Sequence, residues 1–158
     1  MSRQFNSEKA PTCQTVDLTL GPLSSTGARK FALQGFCSGS RIACSSSKPE
    51  QIYEDIKTVS PTLLLGPPLI FNIVWNEFKE TLHNLCTQKY GTKSLSESER
   101  MDITEIAYKQ VRPLLGERIE YISTGGAMTD PLLIHFLREC FHVIVTHGYG
   151  ATEGDQNI

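Results

Sequence analysis

The stretch Val143–Ile158 reads VIVTHGYGATEGDQNI and gathers residue types suited to a nucleotide. Gly148 and Gly150 flank Tyr149, so a flat ring sits where the backbone is open and can stack on a base. Thr152 offers a hydroxyl to a phosphate, and Glu153 offers hard carboxylate oxygens to Mg²⁺. GYGATEG also fits the spacing G-x-G-x-x-x-G of a dinucleotide loop. That reading needs a following helix and an acid about twenty residues on, and the sequence supplies neither. An ordinary tight turn is the third reading. A second candidate is Ser123–Pro131, STGGAMTDP. Gly125 and Gly126 permit positive φ and let a ligand lie against bare backbone. A helix starting after them presents free N–H groups to an anion or a polar ring edge. A plain strand-to-helix turn has the same composition.

Other residues invite chemistry and fit structure as well. His135, Cys140 and His142 are close in sequence, but their spacing is not a zinc pattern and His135 fits a helix face. His83 with Cys86 is a weaker pair of the same kind. His147 either lines a pocket or ends a strand. No G-x-S-x-G is present, so Ser24, Ser25 and His135 do not form a nucleophile elbow.

Hydrophobic periodicity predicts the elements that must position these loops. Val16–Leu20 and Ser40–Cys44 read as short strands, with a helix over Thr26–Phe36 between them. Lys48-Pro49-Glu50 opens a helix that buries Ile52, Ile56 and Val59. A buried strand, TLLL, follows Pro61. Gly66-Pro67-Pro68 then turns the chain into the strongest helix, striped by Ile70, Val74, Phe78, Leu82 and Leu85, with Phe71 and Trp75 beside the stripe. Gln88–Glu99 reads as a surface connection, and Glu99–Val111 as a helix ended before Pro113. Arg118–Ser123 reads as a strand turned by Thr124-Gly125-Gly126. Thr129-Asp130-Pro131 caps a helix over Leu132–Cys140. Val143–Val145 is the last strand, placed inside the sheet. This alternation predicts an α/β fold: a mostly parallel sheet with flanking helices, whose ligand loops follow the strands' carboxyl ends.

Taken together, the two glycine loops and the blocks before them resemble the adenylate-forming superfamily of acyl-CoA synthetases and carboxylic acid reductase adenylation domains. VDLTLGPLSSTGARKFALQGFCSGSRIAC resembles that family's strand, "PLSH", helix and "G-x-R-I" strand. IYEDIKTVSPTLLLGPPLIFNIVWNEF resembles its "PT-x-x-x-x-P-R-I" segment and long helix, and RIEYISTGGAMTDPLLIHFLRECF its "SGGAPL…FL…F" block. The resemblance runs from Val16 to Glu153. It implies part of the large N-terminal domain of such an enzyme, with residues 16–158 a partial AMP-binding (adenylation) domain and residues 1–15 a loose leading segment. It implies ATP, Mg²⁺ and coenzyme A or a phosphopantetheine arm. A carboxylate attacks the α-phosphate of ATP, and a thiol then takes the acyl group. Gly125, Gly126 and Ala127 would line the adenine and acyl pocket, with Gly148, Tyr149 and Gly150 carrying the stacking ring. Thr152 would bond the α-phosphate and Glu153 would hold the metal. The chain departs from the family at two places. Ser25 stands where "PLSH" has histidine, and Leu69 where "P-R-I" has arginine.

The family's phosphate loop would precede the VDLTL block, and its lid lysine would follow GYGATE. Neither block is in the sequence, so the expectation is a central fragment of an acid–thiol ligase of the long-chain fatty acid type, inactive on its own. The alternative is a catalytically inactive remnant acting as a binding or interaction module. Composition narrows the rest. At 158 residues and a formal net charge of −2, the chain offers no bulk charge for nucleic acid. Its five cysteines are scattered and form no C-x-x-C pair, which fits a reducing, cytoplasmic setting. Leu63–Trp75 is too short to span a bilayer, although peripheral attachment of a parent enzyme to intracellular membranes stays open. A fatty acid or another carboxylate is the expected partner.

Overall fold

The computed structural model describes residues 15–45, 48–90 and 95–148. The first unit is strand β1 (Val16–Thr19), helix α1 (Thr26–Ser38) and strand β2 (Arg41–Cys44). Gly39 closes α1 at φ 74°, the left-handed conformation that glycine enters at least cost. A short 3₁₀ turn at Pro49–Gln51 leads into α2 (Ile52–Val59), β3 (Leu63–Gly66) and the long α3 (Pro68–Tyr90). Then come α4 (Glu97–Val111), a 3₁₀ turn at Arg112–Leu115, β4 (Tyr121–Gly125), α5 (Pro131–Phe141) and β5 (Ile144–Gly148).

All strand pairs are parallel, in the order β2-β1-β3-β4-β5. The chain steps outward from β1 to β2, then crosses back to β3 on the other side of β1. Right-handed crossovers in opposite directions put their helices on opposite faces. Accordingly α1 packs on the face carrying Asp17 and Ile42, where a Cβ on Gly35 would lie 2.9 Å from Asp17 Oδ2 and 3.0 Å from Ile42. Helices α2 to α5 share one apolar cluster on the opposite face. Its centre is a row of residues in register across four strands: Leu18, Leu64, Ile122 and Val145. None of these is more than 2% exposed.

The α3 stripe is as expected at its start, where Ile70, Phe71, Val74 and Phe78 are buried. Towards its end, Leu82 and Leu85 are only partly covered. Most boundaries fall within a residue or two of the sequence reading, and three differences have a physical cause or consequence. The Gln88–Glu99 connection is shorter, because α3 runs to Tyr90 and α4 begins at Glu97. A capping box explains the early start: Ser96 Oγ accepts from the Glu99 amide at 3.3 Å, and Glu99 Oε2 accepts from the Ser96 amide at 2.9 Å. Strand β4 begins at Tyr121 rather than Arg118. Arg118 instead donates from its guanidinium to the carbonyls of Val59 and Ser60, at the end of α2. Finally, β5 extends to Gly148 and pairs only with β4, so among the described residues it is an edge strand and not an interior one.

Leu64 tests this core most directly, because it sits at the centre of the buried row. Leu64→Ala should lower unfolding free energy by about 2–5 kcal/mol. Leu33→Ala, on the exposed side of α1, should stay within about 0.5 kcal/mol. Urea denaturation followed by circular dichroism distinguishes them, and equal losses would misplace the core.

Candidate active site

The two glycine loops leave the same edge of the sheet from neighbouring strands. Gly125 ends β4, Gly148 ends β5, and the two are Cα partners in the ladder. A Cβ on Gly125 would meet the Gly148 carbonyl oxygen at 2.9 Å. Backbone cannot yield as a side chain can, so the approach requires glycine. Gly126 follows at φ +80°. Ala127 and Met128 are exposed, and the chain enters α5 at Asp130, whose Oδ1 accepts from the Leu132 amide at 2.8 Å. Asp130 alone provides the cap; Thr129 turns inward and is 5% exposed.

Below this pinch, the face of β4 and β5 that lies opposite the main core is hydroxylic. Tyr121 Oη and Thr146 Oγ1 are 2.8 Å apart, and Thr146 Oγ1 donates to Ser123 Oγ at 3.4 Å. His147 belongs to β5, in register with the buried Thr124. It therefore lies on the core side of the sheet at its carboxyl edge, half-buried. The sequence reading had left the hydroxylic patch unread, although the alternation Tyr121, Ser123 in RIEYIS carried a hint of it.

Of the site residues expected from sequence, Gly125, Gly126, Ala127 and Gly148 are thus brought together. Tyr149, Gly150, Thr152 and Glu153 lie outside the described residues and follow Gly148 directly in the chain. Ser25 and Leu69, the two departures, also map to the carboxyl edge. Ser25 is the N-cap position of α1 and is exposed; Leu69 is in the first turn of α3 and 70% exposed. The topological switch point lies between β1 and β3, whereas the glycine loops sit on β4 and β5. Their placement follows the carboxyl-edge part of the rule for open sheets, displaced from the switch point itself.

His135, Cys140 and His142 do not converge. His135 faces solvent, while Cys140 is fully buried beneath α5. The ring of His142 accepts from Arg112 Nη2 at 3.1 Å, since a guanidinium can only donate. Arg112 also meets Glu105 at 2.9 Å and the Cys140 carbonyl, which ties α4 to the end of α5. Among the described residues, no three His, Cys, Asp or Glu side chains gather as metal ligands. Among them too, no helix is long and apolar enough to cross a membrane.

Burial pushes the Cys140 thiol up to about 12, against a smaller opposing effect of Arg112. Iodoacetamide at neutral pH should therefore label the exposed Cys37 and Cys44 and spare Cys140 until the chain unfolds. Rapid native labelling of Cys140 would contradict the packing of α5. At the pinch, Gly125→Ala should cost about 1–3 kcal/mol through overpacking. Gly126→Ala, with open space around it but positive φ, should cost about 1 kcal/mol. Thermal melts give both values, and a neutral Gly125→Ala would refute the close approach.

Comparison with known proteins gives this geometry a family. The AMP-binding enzyme family matches residues 3–155. Long-chain-fatty-acid–CoA ligase 6 of Rattus norvegicus is 25% identical over 157 residues, covering 93% of this chain and 22% of that protein. The adenylation domain of a carboxylate reductase from Mycobacterium chelonae superposes with a TM-score of 0.67 at 26% identity, over 90% of this chain and 21% of that one. The carboxylic acid reductase A domain from Segniliparus rugosus, solved with AMP and a co-purified carboxylic acid, gives a TM-score of 0.65 at 24% identity, over 94% and 22% of the two chains. The chain spans about a fifth of the length of the relatives it matches. With a parallel sheet, two glycine loops pinched at its carboxyl edge and a family match over nearly its whole length, this chain belongs to the AMP-binding enzymes.

Proposed function

We propose that this chain is the central part of an adenylation domain that activates a fatty acid or related carboxylate with ATP. The acyl group then passes to a thiol of coenzyme A or phosphopantetheine. The observation that carries this reading is the pinch of Gly125 against Gly148. It brings together the ends of β4 and β5, with Gly126 and Ala127 following one in the chain and Tyr149, Thr152 and Glu153 following the other. The carboxylic acid and AMP held by the Segniliparus rugosus domain, and the ligase activity named for the rat relative, support the same reading. Residues 16–158 form the AMP-binding portion, led by residues 1–15. The setting this reading carries is the cytoplasm, with peripheral attachment of the parent enzyme to intracellular membranes left open.

In this reading a carboxylate oxygen attacks the α-phosphorus of ATP. The bond to the bridging oxygen breaks, pyrophosphate leaves, and an acyl-adenylate forms. A thiolate then attacks the acyl carbonyl and AMP leaves. Bare backbone at Gly125 and Gly126 fits the flat adenine ring. Tyr149 stacks on that ring, and Thr152 bonds the α-phosphate. By its place in the motif that resembles the family's, Glu153 would hold Mg²⁺. The metal, when bound, offsets charge on the phosphates.

A second reading rests on Ser25 and Leu69. Where the family pattern has histidine and arginine, the same edge here offers a small hydroxyl and an exposed alkyl group. That favours a chain that binds nucleotide or acid without turning it over. Both readings are tested by placing residues 16–153 within the matching region of a long-chain acyl-CoA synthetase. Pyrophosphate release with ATP, Mg²⁺ and a panel of fatty acids is the assay. Tyr149→Ala should weaken ATP binding about ten- to a hundredfold, from stacking of about 1–3 kcal/mol, while Tyr149→Phe stays mild. Glu153→Gln should depress turnover more than ATP binding. A hybrid that binds ATP but releases no pyrophosphate supports the second reading. Turnover and magnesium dependence unchanged in Glu153→Gln would overturn the first.

A further inference from the structure

The loop between β4 and α5 is fastened at its two ends by a pair of buried hydroxyls. Thr124 Oγ1 and Thr129 Oγ1 are 3.3 Å apart, and the two residues are 0% and 5% exposed. Between them, Gly126 takes positive φ, and Met128 is 91% exposed. No hydrogen bond links Gly126, Ala127 or Met128 to another described residue. Placing Gly125-Gly126-Ala127 on the Gly-Gly-Ala of "SGGAPL" sets Met128 at the proline and Thr129 at the leucine. Both changes alter what restrains the loop. Proline fixes φ and removes conformations from the free loop, and methionine restores them. Threonine for leucine brings a hydroxyl into a buried position, where it must find a partner. Thr124 supplies that partner from the last buried turn of the strand ladder.

We infer that the Thr124–Thr129 hydroxyl pair is a positioning strut. It holds Gly125, Gly126 and Ala127 in the shape that receives the adenylate, in place of the restraint that a proline at position 128 would give. The inference rests on the AMP-binding reading of this loop. Neither threonine touches the reacting atoms; both act through the glycines between them.

The test uses the whole chain, with ¹⁵N relaxation order parameters at Gly126–Met128 and AMP titration read by NMR. Thr129→Val keeps the volume and removes the hydroxyl. It should lower the order parameters of the loop from the rigid range to below about 0.6 and weaken AMP about tenfold, since a buried hydroxyl is left unpaired. Thr129→Ser should retain both properties. Adding Met128→Pro to Thr129→Val should recover most of the loss, and failure to do so would overturn the compensation. Thr124→Val repeats the test from the other end should Thr129→Val not fold. Order parameters unchanged in the valine variants overturn the strut. A looser loop with AMP affinity intact overturns its positioning role. A wild-type chain whose Gly125–Ala127 signals ignore AMP refutes the nucleotide reading instead, and the order parameters still decide whether the strut exists.

Discussion

The register of β4 between β3 and β5 is the constraint on which both core and candidate site depend. One ladder pairs Ile122 with Val145 and, three steps on, Gly125 with Gly148. The first pair belongs to the central apolar row, and the second makes the pinch. A slip by one residue would turn Ile122 out of the core. A slip in the direction that sets Thr124 opposite Gly148 would also bring a side chain against the carbonyl that now faces Gly125. Hydrophobic burial therefore selects the same register that the backbone approach requires. The site has no separate source of precision, because it inherits its geometry from the fully buried row below it.

The fold also sorts charge between the two edges of the sheet. At the amino edge, helices end and leave carbonyls without partners. Arg112 reaches the Cys140 carbonyl at the end of α5, and Arg118 reaches Val59 and Ser60 at the end of α2. A cation there is favourable to the helix dipole as well as to the orphan acceptors. At the carboxyl edge, helices begin, and at α5 the opening amides are taken up within the chain. Pro131 has no N–H, the Leu132 amide donates to Asp130 Oδ1 and the Ile134 amide to the Asp130 carbonyl. The glycine loop beside it contributes no side chain at positions 125 and 126.

Much of this was legible in the sequence, for identifiable reasons. Strand β3 shows as the apolar run Leu63–Leu65, and β1 as Val16, Leu18 and the following Leu20 alternating with the buried Asp17 and Thr19. The first turns of α3 carry a strong stripe because the helix crosses the central row. Boundaries were misread where a side chain bonds backbone out of sight of the apolar pattern. Arg118 looks like the start of a strand but caps a helix, and Ser96 with Glu99 starts α4 inside what reads as a polar connection. Thr129 reads as part of a helix cap next to Asp130, yet it turns inward because Thr124 lies buried across the loop. Such pairings depend on which residues the fold brings face to face. Strand neighbours are equally hidden, so β5 was placed inside the sheet when its only described partner is β4.

What the chain keeps and what it changes at the carboxyl edge differ in kind. Kept are features of the backbone: the Gly125–Gly148 approach and the positive φ of Gly126. Changed are side chains that reach into the same region, with Ser25 in place of histidine, Leu69 in place of arginine and Met128 in place of proline. Backbone contacts recognise shape and the polar edge of a ring, and they carry no net charge. Side chains at helix starts can add charge, and in the proposed reading they set what lies next to the phosphates and the acid. Removing an arginine from such a position weakens long-range attraction for an anion, while an exposed leucine favours an alkyl group. In the proposed reading, the part of the site assigned to adenine and the part assigned to the acid are therefore under separate control. The first is tied to a register that the core cannot relinquish, and the second to residues at helix starts that the core leaves free to vary.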